Sequence, residues 1–499
     1  MGDAPLIVGV SGLRGIVGES LTPEVAVRYA GAFGAWLAER GDGAPTVLLC
    51  RDGRHGGGAF LDAAAAGLRG VGCDVLDCGV LMTPSAGVVA VERGCDAAMI
   101  VTASHNPQQW NGLKCLLVEE GEAFAPTASV AEEIIERFRR GHPAWSGDAV
   151  GLGERDADDA EVCALHVLLV CDLIEELGWP AEGRPGRVVL DSVNCSGAKG
   201  ASRLMRLLDV EAVQLYGEDD GFFPHTPEPT AENLSGEGGL CDAVPGLRAD
   251  VGFAQDPDAD RLAIVEEHGR YIGEEYTLAL CAESVLSGRH EGTEARRHGG
   301  GEAECPVLVA NLSTSRMIDD VAVRYGGRVV RTPVGEANVV EVMKRLKAEG
   351  EDVVLGGEGN GGVIWPEVVY VRDSLSGMAL VLSLMARTGK TVSELVAQID
   401  SYSPGGRGYA IVKRKAAIAS KADAGPAVEK IAAYYTEGPG SASRATVDRQ
   451  DGVRVDFHEK GVWVHVRASN TEPIMRLIAE APTEAEAVGV LAEVAGVIG

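Results

Sequence analysis

The chain has 499 residues, 45% hydrophobic and 24% charged; that length implies several cores at roughly 100–200 residues per domain, and that composition excludes extended disorder. Its 74 acidic and 45 basic side chains leave a formal charge of −29, which repels phosphate backbones and anionic bilayers, so neither nucleic acid nor a membrane is an expected partner. A phosphorylated substrate would need a locally basic pocket.

MGDAPLIVGV carries no basic flank, and no later stretch approaches ~18 uninterrupted apolar residues, so a soluble, cytoplasmic protein is expected. Eleven cysteines are scattered without a CxxC pair, several in apolar runs around Cys50, Cys171 and Cys281. They read as buried free thiols of a reducing compartment.

In chain order, PLIVGV and TVLLCR read as strands, TPEVAVRYAGAFGAWLAER as a helix capped by Thr22 with Pro23 at its first position, and AAMIV as a strand. The alternation restarts near Asp158 with the helix AEVCALHVLLVCDLIEEL, the strand RVVLDS, a helix around GASRLMRLL and the strand DVGFAQD. It restarts again with the helices EEYTLALCAESVL, STSRMIDDVAVRY and NVVEVMKRLKAEG between the strands PVLVAN, RVVRT and DVVLGG. These are three α/β blocks without a strict sequence repeat, so any duplication is structural. Residues 287–305, rich in Gly and charge, read as an exposed loop insertion. Beyond SYSPGGRGY the alternating runs RVDF and VWVHVR and a final helix predict an α+β domain. The expected domains are 1–155, 156–266, 267–390 and 400–499.

Four short segments carry chemistry. TASHNPQQWNGLK, residues 102–114, sets Ser104 beside His105 and ahead of Lys114. No GxSxG elbow surrounds the serine, and adjacent residues rarely form a nucleophile–base pair, so alone it reads as a turn. DPDADR sets Asp256, Asp258 and Asp260 two residues apart after a strand. Such crowded carboxylates repel unless a cation sits among them, and an all-oxygen trio suits Mg²⁺; the alternative is a solvated acidic turn. In GGEGNGG, Glu358 and Asn360 offer hydrogen bonds to sugar hydroxyls, although a plain Gly-rich turn looks the same. RASNTEPIMR offers Arg467, Ser469, Asn470, Thr471 and Arg476 as a dianion site, or else a hairpin turn with an incidental arginine.

Taken together and in this order, TASHNP, DPDADR, GEGNGG and RASNTEP resemble the four signatures of the α-D-phosphohexomutase family, the phosphoglucomutases, phosphomannomutases and phosphoglucosamine mutases, over essentially the whole chain. SGLRG, with Arg14, is similar to the family's arginine loop. The resemblance implies three related α/β domains and a smaller C-terminal α+β domain around one central cleft. It further implies a phosphoserine at Ser104 with His105 beside it, Mg²⁺ held by Ser104, Asp256, Asp258 and Asp260, and Lys114 as acid/base, its pKa lowered by Arg14 and Arg261. Glu358 and Asn360 would bind the sugar, and Arg467, Ser469, Asn470, Thr471 and Arg476 the distal phosphate of a phosphosugar that passes through a hexose 1,6-bisphosphate. Where many members read GExSGH, this chain has Asn360 and Gly362, and Asn470 replaces a glycine. Phosphoglucosamine mutase is the first expectation, with a broad phosphomannomutase/phosphoglucomutase next, and a monomer or homodimer is expected. Competing readings are a sugar phosphatase and a non-catalytic sugar-phosphate sensor; a sensor has no need of Ser104, Lys114 and the aspartates together.

Overall fold

The computed structural model describes residues 5–41, 43–141, 145, 152–157, 162–180, 183, 185–218, 220–296, 305–418, 420–438, 440, 445–468 and 474–498. Four sheets follow one another along the chain. In the first, the parallel strands Asp74–Val80, Thr46–Arg51 and Ala97–Val101 lie side by side, and Trp110–Glu119 closes on the last of them antiparallel. The second repeats that order with Glu211–Tyr216, Arg187–Asp191 and Val251–Gln255 parallel and Leu262–Glu266 antiparallel. The third repeats it again with Arg328–Thr332, Val307–Asn311, Val353–Glu358 and Gly362–Ile364. The duplication invisible in the sequence is therefore one of topology.

This repetition decides where the chemistry sits. In each α/β unit the third parallel strand turns back through a short loop into its antiparallel neighbour. The three loops carry Ser104, the aspartates and the Asn360 turn respectively. Loops at the carboxyl ends of parallel strands are where open α/β sheets place ligands. The fourth sheet, Ala410–Ala417, Ile474–Ala481, Val462–Ala468, Val453–Phe457 and Ala445–Asp448 in that order, is antiparallel and covered by the helices Ala424–Thr436 and Glu484–Ile498.

The second and third units share one core. The helix Ser374–Thr388 is buried along nearly its whole length, as its all-round apolar sequence requires. Its cap, Asp373, joins a hydrogen-bonded chain across three units: His166 bridges Ser85 Oγ and Asp373 Oδ2 at 2.9 Å each, and all three side chains are buried. Among the described residues no helix is long and apolar enough to cross a membrane, and all eleven cysteines are free.

One expected loop is partly helix. The helix Glu274–Arg296 runs into the 287–305 segment, because Gly288 lets the Leu177 carbonyl and the Arg387 guanidinium approach, and Arg289 makes a forked ion pair with Asp352 at 2.8 and 3.0 Å. Residues 297–304 lie outside the described ones.

The fourth unit docks on the third through buried carboxyls. Glu480 accepts the Arg316 amide at 3.1 Å and the Trp463 indole at 2.7 Å, and Glu275 accepts the Ser315 amide at 2.9 Å with Lys413 at 3.7 Å. Burial pushes the Glu275 carboxyl up to about 8, against the pull of Lys413. The folded protein thus keeps a proton that the unfolded chain has released, and stability falls as pH rises from about 5 to about 8, at up to ~1.4 kcal/mol per unit for one group. Thermal melts across that range should show the wild-type midpoint falling and Glu275→Gln falling less; equal slopes would contradict this assignment.

Candidate active site

The loop after Ala97–Val101 holds Ser104 in the left-handed region at φ 51°, an uncommon conformation for a residue with a β-carbon. Buried partners enforce it. Thr102 Oγ1 accepts the Ser104 amide at 2.8 Å and donates to Asp52 at 2.7 Å. Arg54, paired with Asp52 at 2.9 Å, donates to the carbonyls of Ser104 at 2.6 Å and Trp110 at 2.5 Å. The turn aims Ser104 Oγ at Asp256 Oδ2, 3.0 Å away, and places His105 Nδ1 at 3.3 Å. The sequence neighbours do touch at this left-handed turn. Burial and the cations Arg261 and Arg14 depress that imidazole to about 3, so it is neutral near pH 7.

In the next unit, Asp256, Asp258 and Asp260 are fully buried within one turn. Asp256 Oδ1 accepts the amides of Asp260 and Arg261 at 3.1 Å, which folds the loop on itself. Asp258 Oδ2 takes Thr83 Oγ1 and Lys114 Nζ at 2.8 Å, and Asp260 Oδ2 takes Lys114 at 2.8 Å and Arg372 at 2.7 Å. The other oxygens, Asp258 Oδ1 and Asp260 Oδ1, are buried without a hydrogen-bond partner. One oxygen from each aspartate lies within 4.8 Å of the other two. Burial and its two neighbours hold the Asp256 carboxyl well above the ordinary range, whereas Lys114 and Arg372 outweigh burial and draw Asp260 below it. Orphaned, converging carboxylate oxygens fit a hard divalent cation such as Mg²⁺.

Lys114 corrects an expectation. Burial disfavours its ammonium, but Asp258, Asp260 and Glu336 outweigh that, and its pKa stands above the ordinary value. The leading cation that opposes this is Arg372 rather than Arg14 or Arg261, and the direct carboxylate contacts outweigh it. Arg14 itself donates to Asn106 Oδ1 at 3.2 Å, and Arg261 Nε is buried 3.9 Å from Asp260.

In the third unit, Glu358 is buried with every acceptor position filled. Oε1 takes Asn311 Nδ2 at 2.8 Å and the Gly335 amide at 3.1 Å; Oε2 takes Arg372 at 2.9 Å and Asn360 Nδ2 at 3.3 Å. The Asn360 contact is the longest of the four. A recess beside it is lined by Glu228, Thr230, Arg261, Tyr271 and Glu274. From the fourth unit, Arg467 and Arg476 face each other across adjacent strands, an arrangement of like charges that an anion would relieve. Asp451 lies 3.6 Å from Arg467. Ser469, Asn470 and Thr471 lie outside the described residues.

Family models for phosphoglucomutase/phosphomannomutase match all four units: alpha/beta/alpha domain I at residues 5–142, domain II at 174–269, domain III at 274–402 and the C-terminal domain at 411–497. The chain belongs to this family. A phosphoglucomutase/phosphomannomutase of Thermococcus kodakarensis is 34% identical, with 96% of each chain covered. A probable phosphoglucosamine mutase of Methanopyrus kandleri is also 34% identical, over 96% of this chain and 94% of its own. A phosphoglucomutase/phosphomannomutase family protein of Burkholderia thailandensis superposes with a TM-score of 0.76 at 26% identity, covering 99% of this chain and 98% of its own. The enzyme is thus a phosphohexomutase, an isomerase-class phosphotransferase.

Sequence reasoning missed Arg54, Thr83 and Arg372, which hold the Ser104 and aspartate loops in place. The signal for Arg372 was present: RD stands alone as charge inside the apolar run VVYVRDSLSGMALVL, and a charge in such a run is either an error of burial or a paired group. Removal of one aspartate oxygen tests the donor set. Asp258→Asn should weaken Mg²⁺ binding at least ~10-fold in calorimetry of the purified protein, and unchanged affinity would remove this loop from consideration.

Proposed function

We propose that this phosphohexomutase carries its phosphoryl group on Ser104 and passes it between the 1- and 6-positions of a hexose phosphate through a bisphosphorylated sugar. The observation that carries the reading is the aim of Ser104 Oγ at Asp256 Oδ2, 3.0 Å away, inside a buried three-aspartate loop. Asp256, Asp258 and Asp260, with Ser104, would hold Mg²⁺, which when bound supplies charge for a phosphoryl oxygen and polarises the phosphorus. Everything else in the site is supplied by the chain.

Arg14 and Arg261 line the approach to Ser104 and provide the local positive charge that an anionic substrate needs in a protein of net −29. Lys114 is held as an ammonium, so in this arrangement it serves as a charge clamp beside the departing or arriving oxygen; acid/base work would require its contacts with Asp258 and Asp260 to loosen, because they hold its proton on. His105, neutral, is a hydrogen-bonding partner of the Ser104 hydroxyl rather than a second cation. Glu358 accepts from sugar hydroxyls once Asn360 swings off its longest contact. Arg467 and Arg476 grip the phosphate that is not reacting, and Ser469, Asn470 and Thr471 join them on the family pattern. A bisphosphate that must turn around stays enclosed when the fourth unit closes on the SYSPGGRGY connector.

Glucosamine phosphate is the preferred sugar in this reading. The support for it is the likeness to a probable phosphoglucosamine mutase of Methanopyrus kandleri, 34% identical over 96% of this chain. The runner-up is broad action on glucose and mannose phosphates, the activity in the name of the Thermococcus relative.

Two outcomes are expected. Ser104→Ala should lose at least ~100-fold in mutase turnover with sugar bisphosphate supplied, and phosphopeptide mapping of the active wild type should find the phosphoryl group on Ser104; retained activity would refute the mechanism. Side-by-side kcat/KM values on glucosamine, glucose and mannose phosphates should favour glucosamine by ~100-fold, about 2.7 kcal/mol. Equal rates would establish the broad alternative.

A further inference from the structure

Position 362 has no side chain, and the space beside it is taken. A β-carbon built on Gly362 would stand 2.3 Å from Arg372 Cδ and 3.0 Å from its Cγ. No positive φ requires glycine there, so the arginine stem accounts for it. That arginine cannot easily yield, because its guanidinium is held at several points. One terminal nitrogen donates to Glu358 Oε2 at 2.9 Å, the other donates to Asp260 Oδ2 at 2.7 Å, and Nε lies 3.3 Å from Glu336 Oε2. The Arg372 amide donates to Glu336 Oε1 at 3.0 Å.

We infer that Arg372 is a positioning residue that sets the metal loop and the sugar loop at a fixed distance from each other, and that Gly362 exists to admit it. The inference rests on the phosphohexomutase reading of this site. Its physical basis is the rigid planar fork of a guanidinium, whose two terminal nitrogens reach carboxylates on two different loops in a fixed geometry, where an ammonium offers one nitrogen on a flexible stem. On the Asp260 side, the bond to Oδ2 holds the carboxylate while Oδ1 stays without a hydrogen-bond partner, and one oxygen of Asp260 lies within 4.8 Å of an oxygen from each of the other two aspartates. On the Glu358 side, it fixes the oxygen that Asn360 also touches. A movement of Arg372 therefore disturbs both loops together, although 98 residues separate Asp260 from Glu358.

Two substitutions reach Arg372 by different routes. Arg372→Lys keeps the charge and removes the fork. Gly362→Ala removes no functional group and displaces the arginine by contact. Calorimetry on the full-length protein, first with Mg²⁺ alone and then with glucose 1-phosphate in Mg²⁺, reads each loop without turnover. Both variants should weaken both affinities by ~10-fold or more, and the double variant should be no worse than the worse single one, since both act through one contact. In mutase assays the same variants should raise KM for sugar phosphate and the Mg²⁺ requirement. Variants that only melt earlier, with both affinities within about twofold of wild type, would overturn the inference and leave Arg372 a structural residue; so would losses that add in the double variant. The mutase reading fails separately, through absence of wild-type turnover, while the paired binding shifts still decide the coupling.

Discussion

Three carboxylates buried in one six-residue turn are the constraint around which the rest of the molecule is arranged. Each carboxylate is costly to take out of water, and together they repel, so the surrounding units must supply donors or the loop would not fold. The first unit supplies Thr83 and Lys114, the third supplies Arg372, and the loop's own amides cap Asp256. The packing of the first three units is thereby tied to the electrostatics of one turn. What remains after these partners are counted is a pair of orphaned oxygens and the Asp256 oxygen that meets Ser104, a donor set that a hard cation completes.

The second organising fact is repetition. One strand order occurs three times, and each copy places its working loop at the same return from the third parallel strand. The three loops differ in length. The serine loop, residues 102–109, is long enough for a strained turn with its own buried support. The aspartate loop, 256–261, is just long enough for three alternating carboxylates. The Asn360 turn, 359–361, is so short that Glu358 is still part of its strand, with Asn311, Gly335, Asn360 and Arg372 bonded to its carboxylate. Glu275 shows how tight that third turn is: a β-carbon on Gly359 would meet its carboxylate at 2.0 Å.

Much of this was legible in the sequence because it is local. The strand and helix periodicities, the Thr22 cap and the aspartate spacing each sit within a short window, and the described residues show them as expected. The illegible part depends on contacts between residues far apart. The pKa of Lys114 was expected to fall through Arg14 and Arg261; it rises because Asp258 and Asp260, more than 140 residues away in the chain, reach the ammonium directly. The partners of Arg54 and Arg372 are likewise set by how the units pack, and no local pattern states them. The helical continuation through Gly288 was hidden for the same reason, since glycine and charge signal a loop only when nothing packs against them.

As a proposed divalent-cation site, the aspartate turn draws its supports from the first three of the four units. It is tested most directly by diffraction from crystals grown with Mn²⁺ in place of Mg²⁺, using the anomalous signal of the ion. The account predicts a single strong peak bonded to one oxygen from each of Asp256, Asp258 and Asp260, with Lys114 and Arg372 still in contact with the loop. A turn without an ion, or a peak only at the partly exposed cluster of Glu266, Glu267 and His268, would contradict it.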